Sequence, residues 1–235
     1  MVVISFKTKT GCTLLGNYKL ISLKRVNSTQ TRAHEMIASG NATDGMIIMA
    51  DVQTAGHGRH SRKWVSNSGN LYVSFIFSSL RRDPRLAYVV AVAVKDVLNS
   101  FGIHAGIKWP NDILIDGAKV CGILIEYIDQ WVVVGIGINI QSCPDIAKYQ
   151  TTYLGRYVNV TRAALMGRLT QALDKWRGCD FDTVRDAWMA SAVGIGKKIM
   201  YHDIPSVICG IDGDGALILD QSGSRVRIYG DEISY

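Results

Sequence analysis

Proline is scarce, at four residues in 235, and none of the five cysteines (Cys12, Cys121, Cys143, Cys179, Cys209) stands in a C-x-x-C pair. The wide spacing and odd count suggest neither a zinc site nor a disulfide framework, so reduced thiols are expected. No run approaches the roughly 18 apolar residues that a membrane span needs. Residues 1–6 do not read as a secretory leader either, because the apolar run is too short and no small-residue cleavage site follows. The expectation is a cytoplasmic chain with no membrane partner. Acidic residues are in the minority, 20 against 26 lysines and arginines, for a formal charge of +6. Such a surplus permits an acidic partner without choosing among nucleic acid, protein and polyphosphate. With 48% hydrophobic residues, the chain has enough apolar material for an ordinary core and little reason to be disordered.

Three positive charges stand close together on one glycine-broken loop. An apolar run over residues 46–52 leads into Gly56-His57-Gly58-Arg59-His60-Ser61-Arg62-Lys63-Trp64, and alternation resumes at Leu71-Tyr72-Val73-Ser74-Phe75. Two glycines spaced by one residue let the backbone bring its N–H groups close to an anion, and Arg59, Arg62 and Lys63 add charge for phosphate or carboxylate oxygens. The same composition would also serve as a solvated basic loop. It is not a Walker loop, since no Gly-Lys-Ser/Thr follows, and Ser61 stands where a dinucleotide fingerprint needs its third glycine. His57 and His60, three apart, have no carboxylate or thiol near them in sequence, which weighs against a metal.

Periodicity gives the rest of the organisation. Residues 2–6 and 18–26 read as strands. Ser28 and Thr29 can cap a helix over 30–39, and Gly40-Asn41 ends it. Apolar residues at helical spacing over 85–101 predict a long helix packed on a sheet. Strands follow at 113–115, 120–127 and 131–138, the last two joined through Asp129-Gln130, then helices at 163–176 and 182–190. From Gly194 onward, short alternating stretches at 198–201, 207–211, 216–219 and 224–229, with turns at 212–215 and 222–223, predict a small β-barrel. A segment of that size should need the main domain to lean on.

A second motif changes what the basic loop implies. Lys108-Trp109-Pro110-Asn111-Asp112 is followed by an apolar strand, Asp116-Gly117-Ala118-Lys119, and Gly122-Ile123-Leu124. Together with Ser28-Thr29, Gln53, Asn70-Leu71-Tyr72 and Gly135-Ile136-Gly137-Ile138-Asn139 in the same order, this resembles the biotin protein ligases over roughly residues 20–235. The resemblance implies an α+β fold: a mixed β-sheet flanked by helices, of the kind shared with class II aminoacyl-tRNA synthetases, over residues 1–193, and an SH3-like β-barrel over 194–235. It implies a monofunctional type, because the N-terminal DNA-binding domain of some members would need more residues than precede Ser28, so no DNA partner is expected.

What the family does sets the expected roles. Biotin and ATP would form biotinyl-AMP with Mg²⁺, and a lysine of a biotin carboxyl carrier protein domain, part of a biotin-dependent carboxylase, would accept the biotin. A homodimer is allowed. The resemblance makes Lys119 and Arg59 the catalytic candidates. It assigns biotin to Ser28, Thr29, Gln30, Gln53, Gly56, His57, Gly58, Arg59, Lys119 and Gly122, and ATP to Arg59, Arg62, Trp64, Asn111, Asp112, Lys119 and Asn139, with Asp112 also the Mg²⁺ candidate. Lys108 is open to a structural role or to pairing with Asp112. The departures are Gln30 for the usual Asn, His57 and His60 for arginines, and Ser61 for glycine. Two fixed charges are thereby exchanged for groups largely neutral near pH 7. A lipoate ligase or octanoyl transferase, with a related core, is the alternative, and the Lys-Trp-Pro-Asn-Asp segment argues against it. A nucleic-acid-binding module would interleave aromatics with the basic loop, and few are there.

Overall fold

The computed structural model describes residues 6–7, 12–230 and 233. Most of the strand expected at 2–6, and most of the Gly-Asp-Glu-Ile-Ser ending, therefore lie outside the described residues. In chain order the first elements are β1 (Phe6–Lys7), β2 (Cys12–Leu15), β3 (Tyr18–Val26), α1 (Thr29–Ala38), β4 (Met46–Gln53), β5 (Leu71–Ser78), α2 (Leu86–Asn99), β6 (Gly106–Lys108) and β7 (Asp112–Ile115). They are followed by β8 (Ala118–Ile128), β9 (Trp131–Ile138), α3 (Arg162–Arg177), α4 (Phe181–Met189), β10 (Lys198–Tyr201), β11 (Ile204–Ile211), β12 (Leu217–Gln221) and β13 (Ser224–Ile228). The chain divides into two compact units, Met1–Arg82 with Gly117–Gln171 and Asp83–Asp116 with Ala172–Tyr235.

The first unit is a sheet in the order β1-β2-β3-β4-β5-β9-β8. It is mixed as expected: β3 and β4 run parallel, with Leu20 beside Ile47, while β4–β5, β5–β9 and β9–β8 are antiparallel. Strand β5 is central, so its continuous apolar run is buried at every position before Ser78. Helix α1 packs on β4, β5 and β9. Its Ala33 joins Met46, Ile48, Ile76 and Val133 in a closed apolar cluster. The β8–β9 hairpin turns at Asp129, in the left-handed region at φ 50°.

In the second unit, α2 is helical despite five valines, residues that disfavour helix because their branched side chains crowd the preceding turn. Burial outweighs that preference: Val90, Val92, Val94 and Val97 all lie in the core. Tyr88, on the same helix, meets Trp188 of α4 edge-on at 5.3 Å. It also donates its hydroxyl proton to the Gly215 carbonyl at 2.9 Å, tying α2 to the turn between β11 and β12. Strands β10–β13 form an antiparallel sheet with the predicted turns at 212–215 and 222–223. The sheet leans on α4, whose Met189 reaches Gly210. Sequence reasoning missed β2, β6 and the first residues of β11. The hidden β10–β11 turn uses His202 and Asp203 at positive φ, residues that give no glycine signal. No helix among the described residues is long and apolar enough to cross a membrane.

Candidate active site

The hydroxyl pair opens helix α1. Ser28 is its N-cap, with extended backbone and an Oγ that accepts from the Gln30 N–H at 3.2 Å, satisfying a donor with no helical partner. Ser28, Thr29 and Gln30 are all buried. Thr29 donates both its N–H (2.7 Å) and its hydroxyl (3.1 Å) to Gln53 Oε1. Gln53 Nε2 donates to Ser66 Oγ at 2.9 Å, and Ser66 donates in turn to the Trp64 carbonyl at 3.2 Å. One chain of hydrogen bonds thus joins the start of α1, the end of β4 and the far side of the basic loop.

Gly56 lies inside that chain. A Cβ there would stand 2.7 Å from Ser66 Oγ and 2.8 Å from both Gln53 Nε2 and the Trp64 carbonyl, one of which is backbone and cannot swing away. Gly56→Ala is therefore expected to cost about 1–3 kcal/mol of stability through overpacking. Thermal melting checks this, and a variant that melts like the parent would contradict the contact.

The loop itself is a tight turn. Gly58 N–H donates to the Arg62 carbonyl at 2.8 Å, Arg62 N–H to the Arg59 carbonyl at 3.1 Å, and His57 faces Lys63 as a bridge pair. His60 and Ser61 both take left-handed backbone, at φ 52° and 56°. That conformation disfavours a side chain and is the one a glycine adopts most readily. Arg59 is half-buried, whereas Arg62 and Lys63 are exposed.

Trp64 ends the loop and lies against the floor of the site. A Cβ at Gly137 would come within 2.6 Å of its indole, and one at Gly122 within 2.7 Å, so glycine on β8 and β9 is what lets the ring lie there. Trp64 Nε1 is buried with no hydrogen-bond partner. Lys119 Nζ sits 5.3 Å from the Trp64 ring centre and 5.5 Å from that of Tyr149, within range of a cation–π attraction to both. The Lys119 backbone is fixed by its N–H donating to the Gln150 carbonyl and its carbonyl accepting from Thr152 N–H, each at 2.9 Å. Trp64, Lys119, Asn139, Ile146 and Tyr149 line one cleft. Asn139 is buried there and donates Nδ2 to the Thr152 carbonyl at 3.0 Å. The segment after β9 is held by Asn70, whose Oδ1 accepts from the N–H groups of Ile140, Gln141 and Ser142 and whose Nδ2 donates to the Ser142 carbonyl.

The first unit thus brings together Ser28, Thr29, Gln30, Gln53, the loop from Gly56 to Trp64, Lys119, Gly122 and Asn139. Asn111 and Asp112 belong to the second unit. There Asp112 begins β7 and stands opposite Lys108 of β6 in strand register, while Trp109 donates Nε1 to Tyr88 Oη at 3.1 Å. Among the described residues, no three His, Cys, Asp or Glu side chains gather as a metal site. Sequence reasoning missed Ser66, Ser74 and Tyr149. Ser74 alone gave a signal, as a hydroxyl in the apolar run of β5.

On the far side of Gln30, His34 Nε2 lies 2.9 Å from Glu126 Oε2. That contact, helped by the Gln30 amide and the charge of His57 and opposed by burial, holds the Glu126 carboxyl below its ordinary 4.5. A carboxyl with a lower pKa folded than unfolded adds stability above the unfolded value and loses it as pH falls through the folded one. Glu126→Gln should therefore melt below the parent at pH 7, with the gap closing as the pH is taken down past 4.5. A gap independent of pH would refute the linkage.

Comparison with known proteins places the chain in a family. The signature of the Biotin/lipoate A/B protein ligase family matches residues 22–141. The bifunctional ligase/repressor BirA of Bacillus subtilis is 34% identical over 234 residues, spanning 88% of this chain and 71% of that protein. The biotin–[acetyl-CoA-carboxylase] ligase of Paracoccus denitrificans is 30% identical, spanning 91% and 99%. Among solved structures, a biotin protein ligase from Aquifex aeolicus, in complex with biotin and ATP, is similar at a TM-score of 0.76 and 29% identity, over 92% of this chain and 97% of that one.

Proposed function

Since the chain belongs to the biotin/lipoate A/B protein ligase family, as a biotin protein ligase, we propose that it joins biotin to one lysine of a biotin carboxyl carrier protein domain. The acceptor would be part of a biotin-dependent carboxylase such as acetyl-CoA carboxylase. In the first step a biotin carboxylate oxygen bonds to the α-phosphorus of ATP, the bond to the bridging oxygen breaks, and pyrophosphate leaves. In the second, the neutral amine of the carrier lysine attacks the acyl carbon of biotinyl-AMP, AMP departs with the acyl C–O bond electrons, and the amine loses its proton. Neither step needs an enzyme nucleophile, so the work of the site is to position reactants and neutralise charge.

The observation that carries this reading is the meeting of Lys119, Trp64 and Asn139 in one cleft, with the Trp64 indole seated on Gly122 and Gly137. A fixed ammonium beside the indole suits a carboxylate that must approach a phosphate. Ser28, Thr29, Gln30 and Gln53, with the Gly56-His57-Gly58 backbone, supply short polar partners for the ureido end. Arg59 and Arg62 would hold carboxylate and phosphate oxygens as forked donors, Trp64 would stack on adenine, and Asn139 would hydrogen-bond it. Asn111 and Asp112 would face the phosphates and their Mg²⁺, which when bound screens the charge of the leaving pyrophosphate. The test is mass spectrometry of a carrier domain incubated with the protein, ATP, Mg²⁺ and an equimolar mixture of biotin, lipoate and octanoate. Addition of one biotinyl group supports the reading, while transfer of lipoate or octanoate in its place moves the chain to the family's other branch.

A further inference from the structure

Building on that reading, we infer that Tyr88 is a positioning residue for the nucleotide: its hydroxyl holds the loop that carries Asn111 and leads into Asp112, the two residues that would face the phosphates of ATP. Strands β6 and β7 pair Gly106 with Leu114, Ile107 with Ile113 and Lys108 with Asp112, which leaves Trp109, Pro110 and Asn111 as the loop between them. The base of this hairpin is fixed by backbone alone. Ile107 donates its N–H to the Ser191 carbonyl and accepts from the Val193 N–H, each at 2.8 Å, just after α4. The loop has a different anchor. The Trp109 indole N–H donates to Tyr88 Oη at 3.1 Å, and both side chains are buried.

That anchor needs a group that both accepts and donates. Tyr88 accepts from Trp109 and gives its own proton to the Gly215 carbonyl at 2.9 Å. An indole can only donate and a carbonyl can only accept, so the partners settle the direction of both bonds. Burial pushes the Tyr88 pKa up to about 12, and the hydroxyl keeps the proton it donates. The ring is clamped edge-on against Phe181 at 6.0 Å and Trp188 at 5.3 Å. The carbonyl is held as firmly. Asp212 Oδ1 accepts from the N–H groups of Asp214 and Ala216, each at 3.0 Å, and Arg227 of β13 reaches the Asp212 and Asp214 carboxylates at 2.6 and 2.7 Å. A Cβ at Gly215 would stand 3.0 Å from Arg85 Cγ, so closely does this turn lie on α2. Tyr88 thus refers the loop to a rigid point on the C-terminal sheet. Phenylalanine would keep the ring and release the loop, while the backbone bonds of Ile107 still hold the hairpin base.

Pyrophosphate release by the full chain, at saturating biotin and varied ATP, tests this on the parent, Tyr88→Phe, Trp109→Phe and the double variant. Biotin affinity is measured separately, by calorimetry without ATP. Loss of one hydrogen bond should leave the loop correctly placed about a tenth of the time and so raise KM for ATP by about tenfold. The rate at saturating ATP and the affinity for biotin should change little, because bound phosphates select the ordered loop and the hairpin base stays paired. Both substitutions cut the same bond, so the double variant should have a KM no higher than the worse single variant. A merely structural hydroxyl would lower the melting temperature and leave KM for ATP at the parent value, or would weaken biotin and ATP equally. Either result, or single effects that add, overturns the inference. If Tyr88→Phe does not fold, Trp109→Phe carries the test alone, since it removes the donor and leaves the bond to Gly215; a parent-like KM for ATP is then fatal. A parent that releases no pyrophosphate with biotin defeats the proposed function itself, a result separable from all of these.

Discussion

Lys119→Ala is expected to slow formation of biotinyl-AMP by about 10²- to 10³-fold, the usual loss on removing one preorganised donor from a charged transition state. The carboxylate and the α-phosphate repel each other as they close, and an ammonium between them offsets that repulsion. Lys119 is suited to the task by its fixity. Its backbone is bonded to Gln150 and Thr152 on one side, and its Nζ is flanked by the rings of Trp64 and Tyr149 on the other. Little reorganisation is then left for the moment of reaction. Release of pyrophosphate from ATP and saturating biotin measures the step. A parent-like rate would remove Lys119 from the chemistry, and recovery with arginine would show that charge alone suffices.

Arg59→Gly should act on retention of the intermediate and leave its formation largely intact. Arg59 starts a turn that already holds two non-glycine residues in left-handed backbone, and the Arg62 N–H to Arg59 carbonyl bond is one of its closures. A new glycine frees the backbone by about 1 kcal/mol, enough to raise an open population roughly fivefold before the lost guanidinium is counted. The mixed anhydride would escape and acylate lysines at large, slowly, because a surface amine with a pKa near 10.4 is mostly protonated. Incubation with ATP, biotin and an unrelated protein should give clearly more labelling by the variant. Labelling no greater than that by the parent would mean that the loop does not guard the anhydride.

Much of this was readable from the chain because the site is built on local chemistry. Gly56, the Ser28 cap and the Gly135-Ile136-Gly137 run are each dictated by a turn, a helix end or a close approach, and such demands leave a mark at their own positions. The helix α2 was readable for a similar reason, its apolar spacing surviving five valines. Tyr149 left no mark, because it comes to Lys119 by a β-bridge between segments some thirty residues apart, in a stretch without periodicity. The contacts of Gln30 were hidden differently, because its amide partners Ser74 and Val133 come from β5 and β9 and only the folded sheet brings them together.

Asn70 has a consequence for anyone wishing to redirect the enzyme. A single short side chain collects three successive amides after β9 and returns one proton to Ser142. Aspartate keeps the acceptor at that length but not the donor, and glutamine keeps both groups at the wrong reach. Position 70 should therefore tolerate almost nothing in a saturation library, though it borders the segment a designer would most want to diversify. Randomising residues 143–149 with Asn70 held constant would sample new linings of the Lys119 cleft on an intact frame, whereas libraries that include it would spend most of their members on unfolded loops.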